Sequence, residues 1–264
     1  MPRLFHAPAF LLLSACNLND GGEATKLSGR TVSKSYSPGA FDKVSLQGPD
    51  NVVVRVGPAI GVTASGDSAL IDRLKILVDD DQLKIGRVDR SGKLFGSRGD
   101  GSVTVTVTLP ALAAASVVGS GNMSVDRVTG GMFVAVVTGS GDLRIGQLKS
   151  TGTDVVIGGS GDLTLDRVET GPIKMAIAGS GNLSAAGRAD VAELSIAGSG
   201  DIRAARLDTR TAKASIAGSG NIAVGARERA EASILGSGDI DIHGTAACTT
   251  SKMGSGTIRC NVAG

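Results

Sequence analysis

The sequence predicts an all-β protein, a right-handed parallel β-helix (β-solenoid) with coils of about 20 residues and an irregular N-terminal β cap. Three observations carry this. The tripeptide Gly-Ser-Gly recurs from Gly119, Gly139, Gly159, Gly179, Gly198, Gly218, Gly236 and Gly254, at steps of 20, 20, 20, 19, 20, 18 and 18 residues. Seven of the eight copies are followed by Asn or Asp, namely Asn122, Asp142, Asp162, Asn182, Asp201, Asn221 and Asp239, and the last by Thr257. Aliphatic residues flank each triplet with period two, the signature of strands that bury one face. A fixed period near 20 marks a stacked-repeat architecture.

Aligned on the first glycine, the position two before the triplet holds Val117, Val137, Ile157, Ile177, Ile196, Ile216 and Ile234. The position four before holds Ala115, Ala135, Val155, Met175, Leu194, Ala214 and Ala232, and the position four after runs from Met123 through Leu143, Leu163, Leu183, Ile202, Ile222 and Ile240 to Ile258. Each repeat therefore reads as strand, Gly-Ser-Gly-Asn/Asp turn, strand and second turn. One repeat cannot bury its own apolar face. Stacking repeats in register sets Ile on Ile in columns and gives parallel sheets, with the right hand expected of parallel crossovers. Strands ~4.8 Å apart give a rod on the order of 40 Å for eight coils. Glycine supplies positive φ at the corner, and Asn or Asp tolerates the same region. The triplet serines are placed to form a hydroxyl ladder. Antiparallel hairpins of similar length are the main structural alternative.

The elements follow in order. Residues 1–15 read as a secretory leader, with Arg3 before a short apolar run at Ala9–Leu13, too short to span a bilayer. Residues 16–26 are polar and Gly-containing and read as a flexible tether. Residues 27–264 read as one domain: 27–118 as irregular opening coils and cap, 119–264 as the repeats. Within the first part, Val44-Ser45-Leu46, Asn51–Val56, Leu83-Lys84-Ile85 and Val103–Leu109 have strand chemistry, Ala69–Leu77 reads as one or two helical turns, and Asp79-Asp80-Asp81 reads as a solvated turn. Pro110 ends the strand before the regular repeats begin.

Two resemblances follow from these residues. Leu13-Ser14-Ala15-Cys16, directly after the apolar run, resembles the bacterial lipobox. That likeness implies cleavage before Cys16, lipidation of its thiol, and attachment to a membrane through this N-terminal anchor. Asn17, where inner-membrane retention would have Asp, implies an outer-membrane lipoprotein, facing either the periplasm or the surface. An ordinary secretory signal, or a start codon misplaced so that Cys16 is incidental, is the alternative. The second resemblance rests on an order of motifs. Phe41-Asp42-Lys43-Val44 leads into short strands; Ser65-Gly66-Asp67 follows as a turn; then come Val78–Ile85, a strand pair closing at Leu109-Pro110-Ala111-Leu112, and the serial triplets. This order resembles the head GIN domain of bacterial autotransporter-type adhesins. The resemblance implies a β-helical envelope protein with an adhesive or structural role, and it brings no catalytic residues.

Composition narrows the chemistry. Of 264 residues 41% are hydrophobic and 20% charged, and the net charge is +2, with five Phe, one Tyr and no Trp. Nucleic-acid binding would want a basic face with aromatic platforms. If Cys16 carries lipid, two thiols remain, Cys248 and Cys260, six residues before and six after Gly254. Both fall in inward columns, so they face each other across the last coil as a disulfide that an exported protein permits; two buried free thiols are the alternative. Lys252 replaces Val or Ile in its column, which suggests that the last coil caps the stack.

Candidate sites are few. His243, Asp241 and Ser237 are near in sequence but show no triad geometry. Asp142 with Asp162 on adjacent coils, or less cleanly Asp126 with Asp166, would supply paired carboxylates for glycoside chemistry. The same Asp/Asn column invites Ca²⁺, although its irregular alternation suits plain turn chemistry. No triplet carries the Gly-Lys-Ser/Thr ending of a phosphate loop. Arg98-Gly99-Asp100 matches an integrin-type tripeptide within a charged, Gly-rich stretch, Gly86–Ser102. The expectation is a non-enzymatic, lipid-anchored cell-envelope protein, an adhesin or an organiser of the envelope, without cofactor, metal or nucleic acid. Its partner would be envelope glycan or another surface protein. A carbohydrate-binding or carbohydrate-active β-helix protein, lyase or hydrolase, is the alternative.

Overall fold

A computed structural model describes residues 27–88, 101–244 and 247–261. The repeat region forms the parallel stack that its period predicts. Six long strands each run from the first or second residue after one triplet to the first glycine of the next, bending on the way: β9 (Asn122–Gly139), β10 (Leu143–Gly159), β11 (Leu163–Gly179), β12 (Asn182–Gly198), β13 (Asp201–Gly218) and β14 (Asn221–Gly236). Every neighbour pair among them is parallel. The stack ends in a broken coil, β15 (Asp239–His243), β16 (Ala247–Gly254) and β17 (Thr257–Asn261). The antiparallel alternative is therefore excluded for the repeats.

Register explains why the aliphatic columns matter. Ile177, Ile196, Ile216 and Ile234 pair directly, one above the next. Each is at most 3% exposed, and Leu143, Leu163, Leu183, Ile202, Ile222 and Ile240 form a second dry column at no more than 1%. Burying one such side chain contributes about 1.5–3 kcal/mol, and a column repeats that gain at every coil. Unequal coil lengths are absorbed at the bends. Register shifts fall between Ser184 and Ala186 and between Ala204 and Asp208, so the limbs beside the triplets stay aligned.

The N-terminal region caps one end. β2 (Lys43–Gly48) and β3 (Asn51–Val56) form a true first coil, because they pair in parallel with β8 (Ala114–Gly119) and with the start of β9. On the other side of that coil lie β6 (Gln82–Arg87) and β7 (Thr104–Leu109), also parallel to it. Antiparallel strands then close the end: β5 (Leu74–Asp79) on β6, β4 (Gly61–Asp67) on β7, and β1 (Thr31–Tyr36) on β4. The chain thus makes one coil, folds the cap beneath it, and returns above to build the stack.

Three sequence expectations are corrected here. The helical reading of Ala69–Leu77 holds only for a four-residue α1 (Ser68–Ile71), because Leu74–Asp79 pairs with β6 as a strand. Ser65-Gly66-Asp67 is the end of β4 rather than a turn, and Asp67 caps α1. The corner Asn and Asp residues do not share the glycine conformation, since among the described residues the non-glycine residues with positive φ are Asp80 and Asp81, in the β5–β6 turn.

Candidate interaction surfaces

The corner of each coil is set by two glycines with different reasons to exist. The first of each triplet has positive φ, for example +140° at Gly179 and +139° at Gly198. The third does not; instead, a Cβ on Gly181 would stand 2.2 Å from the Gly161 carbonyl oxygen, and one on Gly200 would stand 2.1 Å from that of Gly181. Close approach of backbone to backbone forbids any side chain there. Between the glycines the serine side chains face solvent, and the ladder runs through the main chain: Ser180 N–H donates to the Gly159 carbonyl at 2.9 Å, and Ser199 N–H to that of Gly179 at 2.9 Å. The hydroxyl ladder expected of the serines is replaced by this one.

The Asn/Asp position builds a second ladder. Asp142 Oδ1 accepts from the Asp162 amide at 3.1 Å, and Asp162 Oδ1 accepts from both the amide and the side-chain Nδ2 of Asn182, at 3.0 and 2.9 Å. The pattern continues through Asp201 to Asn221, Asn221 to Asp239, and Asp239 to Thr257. These oxygens therefore hold coils together. The same side chains edge an open groove of about 470 Å³ lined by Asn51, Asn122, Asp142, Arg144, Asp162 and Thr164.

The sites weighed from sequence sort accordingly. Asp126 accepts from the Val56 amide at 3.0 Å and so ties the first repeat to the first coil, while Asp166 takes Arg144 at 2.9 Å; they do not form a carboxylate pair. Asp241 lies 3.6 Å from Arg259, and His243 and Ser237 are exposed. Among the described residues no group of three His, Cys, Asp or Glu side chains is placed to hold a metal ion. Cys248 and Cys260 are joined as a disulfide with Cα atoms 6.5 Å apart, and Lys252 is exposed on β16, in register with Ile234. Cys16 and Arg98-Gly99-Asp100 lie outside the described residues. Among the described residues no helix is long and apolar enough to cross a membrane.

Two features escape a reading based on the triplet. Gly48-Pro49-Asp50-Asn51 is a further corner: Gly48 has φ +128° and pairs with Gly119, and Asn51 pairs with Asn122. Asp50 stands where later coils have the third glycine. It is fully buried, accepts from Val103 N–H at 2.7 Å, and forms a buried ion pair with Arg87, whose Nε lies 2.8 Å from Asp50 Oδ2. A side chain is tolerated there because the cap strands replace a preceding coil. Only Pro49 and Asp50 differ from the triplet, and that was enough to hide the corner.

The second feature is the outer face of the limb leading into each triplet. Its columns three and one residues before the triplet hold, respectively, Val156, Ala176, Ser195, Ser215 and Ser233, and Ala178, Ala197, Ala217, Leu235 and Met253. They border an open trough of about 640 Å³. Among the described residues, five of the seven large hydrophobic side chains that are exposed lie on this face: Met132, Val156, Val191, Leu235 and Met253. The outer face of the limb after the triplet is instead polar, with coil-to-coil ion pairs such as Arg144–Asp166 and Arg259–Asp241.

A parallel solenoid with a closed N-terminal end and distinct outer faces is a scaffold for presenting surface. The chain belongs to the family described as "Putative auto-transporter adhesin, head GIN domain", whose model matches residues 40–246. Solved structures agree in fold. A Parabacteroides distasonis ATCC 8503 protein described as a "putative adhesin" is 24% identical over 89% of this chain and 99% of its own, with a TM-score of 0.81. A second protein of that organism, described as a "putative lipid binding protein", is 25% identical over 88% and 97%, with a TM-score of 0.77. A "putative adhesin" of Parabacteroides merdae ATCC 43184 is 19% identical over 88% and 96%, with a TM-score of 0.80. No curated protein matches the chain.

Proposed function

We propose that the protein is a non-enzymatic adhesin of the bacterial cell envelope, exported, anchored in the outer membrane through lipid on Cys16, and recognising envelope glycan or another surface protein through its solenoid faces. Membership of the adhesin-head family over residues 40–246 carries this reading. The geometry supports it, since the carboxylates that a glycosidase would need are engaged in ladders and ion pairs that hold coils together. Residues 16–26 are the tether between lipid and cap.

A glycan array combined with a polysaccharide turnover screen tests the central claim. Binding without turnover is expected, and hydrolysis or elimination of any polysaccharide overturns the non-enzymatic reading. Fatty-acid labelling of wild type against Cys16→Ala tests the anchor: label on the wild type alone is expected, and equal labelling, or none, removes it. Whole-cell protease shaving separates a surface-facing protein, which is cut, from a periplasmic one, which survives.

A further inference from the structure

We infer that the outer face of the limb before the triplet is a homodimer interface. In it two copies pack face to face with their solenoid axes antiparallel, about a two-fold axis that runs along the strands midway between the coil of Ala197 and the coil of Ala217.

The columns carry the argument. Parallel register stacks Gly158, Ala178, Ala197, Ala217, Leu235 and Met253 in one line, and Ser195, Ser215, Ser233 and Ser251 in another. Size is graded along the first line, flat at Gly158 to Ala217 and raised at Leu235 and Met253, which are 58% and 71% exposed. A rotation about an axis along the strands keeps each column over itself and reverses the order of coils. With the axis placed between Ala197 and Ala217, the two alanines face each other. Leu235 then falls on the second copy's Ala178, and Met253 on the second copy's Gly158. The raised end of each copy fills the flat end of the other, and the trough of about 640 Å³ between them closes.

Charge selects the same axis independently. Five residues before the triplet a single column reads Asp154, Lys174, Glu193, Lys213, Glu231, alternating in sign from coil to coil. Lys174, Glu193, Lys213 and Glu231 are exposed, and among the described residues none of them has an ion-pair partner within 4.0 Å, whereas neighbouring coils pair Lys149 with Glu169 and Arg188 with Asp208. An alternating column is self-complementary when reversed about a point between two coils and self-repelling about a point on a coil. The axis between Ala197 and Ala217 sets Glu193 against the second copy's Lys213, and Lys174 against the second copy's Glu231, each pair occurring twice by symmetry. Moving the axis by half a coil sets Lys174 on Lys213. Aligning the solenoid axes in parallel sets this charged column against its own sign or against the alanines.

The area suffices. From the coil of Gly158 to that of Met253 is six coils at ~4.8 Å, and the face is six residue steps wide at ~3.3 Å, so each copy covers about 600 Å². The total of about 1,200 Å² sits at the lower edge of specific interfaces, with the isologous symmetry usual for homodimers. Two sheets whose strands run in line also have the aligned geometry common in face-to-face packing.

Light scattering and sedimentation on the full chain carrying Cys16→Ala, which excludes lipid-driven association, provide the test. A dimer is expected at roughly 100 µM, where a micromolar interface is saturated. Ala197 is exposed, so Ala197→Arg should fold normally by circular dichroism yet weaken dimerisation at least roughly tenfold, because it drives a long side chain into the second copy's Ala217 and sets the two arginines about one coil apart across the axis. K174E/K213E makes the column wholly acidic and E193K/E231K makes four of its five charges basic; each alone should be monomeric, and an equimolar mixture should dimerise. A monomeric parent at that concentration, a dimer that survives Ala197→Arg, or folded charge variants that stay monomeric when mixed would each overturn the proposal.

Discussion

At the scale of the residue, the triplet shows why one letter of sequence can stand for two physical demands. The first glycine is required by both φ and space, and the third by space alone. Gly181→Ala would drive a methyl group into the Gly161 carbonyl oxygen, 2.2 Å away, where backbone must yield rather than a side chain. We expect it to lower stability by about 3 kcal/mol or more. Gly131→Ala, with nothing within 4 Å of the new carbon, should stay within about 0.5 kcal/mol of wild type. Chemical denaturation of the two variants decides it, and equal losses would show that the corner is looser than described. The inward columns were legible because Ile196, Ile216 and Ile234 keep one register and one chemistry. The role of the Asn/Asp position was not: its residue type suits positive φ and side-chain acceptance of a main-chain amide equally well, and only the ladder separates them. Asp50 and Arg87 were illegible for another reason. They lie 37 positions apart, and no local pattern joins them.

At the scale of the element, both ends of the stack need local fastening, because an end coil is packed on one side only. At the N-terminal end Asp67 caps α1 and gathers the entering chain, accepting from the amides of Ser28 at 3.0 Å, Gly29 at 2.8 Å and Ala69 at 2.9 Å. The backbone bond from Ser28, aided by its hydroxyl and by the other amides, holds the Asp67 carboxyl below its ordinary pKa. A lowered folded pKa means that this fastening is complete above the unfolded carboxylate pKa and is lost as pH falls through the folded value. β1 should therefore loosen in acid. Tyr36 on β1 is the single tyrosine of a chain without tryptophan, so its fluorescence reports β1 directly. Acidification below roughly pH 4 should change that signal in wild type, and Asp67→Asn should show the loosened signal already at neutral pH. An identical titration in both would detach Asp67 from the strand. At the other end Cys248 and Cys260 close a loop of sequence separation 12 around the last corner. A loop of that size is worth roughly 3 kcal/mol. C248S/C260S should raise hydrogen exchange in residues 247–261 while β9–β13 keep their protection. Global loss of protection would mean that the last coil nucleates the stack. Sequence spacing foresaw this pairing because six before and six after a corner fall in facing columns. It foresaw an irregular cap but not its pairing, because β1, β4 and β5 pair antiparallel and out of chain order.

At the scale of the whole molecule, a solenoid is a one-dimensional array in which each coil contacts only its neighbours, so coils should be removable in whole units. Residues 140–159 form one 20-residue period from Ser140 to Gly159. Deleting them joins Gly139 to Ser160, lays β9 directly on β11, and brings the Asp162 amide to Asn122 Oδ1, which now accepts from Asp142. The Ile and Leu columns stay continuous, and the Lys174–Glu193–Lys213–Glu231 column is untouched. Ordinary stabilities of about 0.05–0.15 kcal/mol per residue put one coil at about 1–3 kcal/mol. Melting should remain a single transition, lowered by roughly 2–10 °C. Deleting only residues 140–149 removes about half a turn, so inward residues of one coil meet a bend of the next; that variant should fail to fold. Melting curves of the two deletions, side by side, test whether the period is the structural unit. If the half-coil deletion melts as well as the full one, stability does not reside in register between coils, and the outer columns on which recognition and self-association depend lose their fixed alignment.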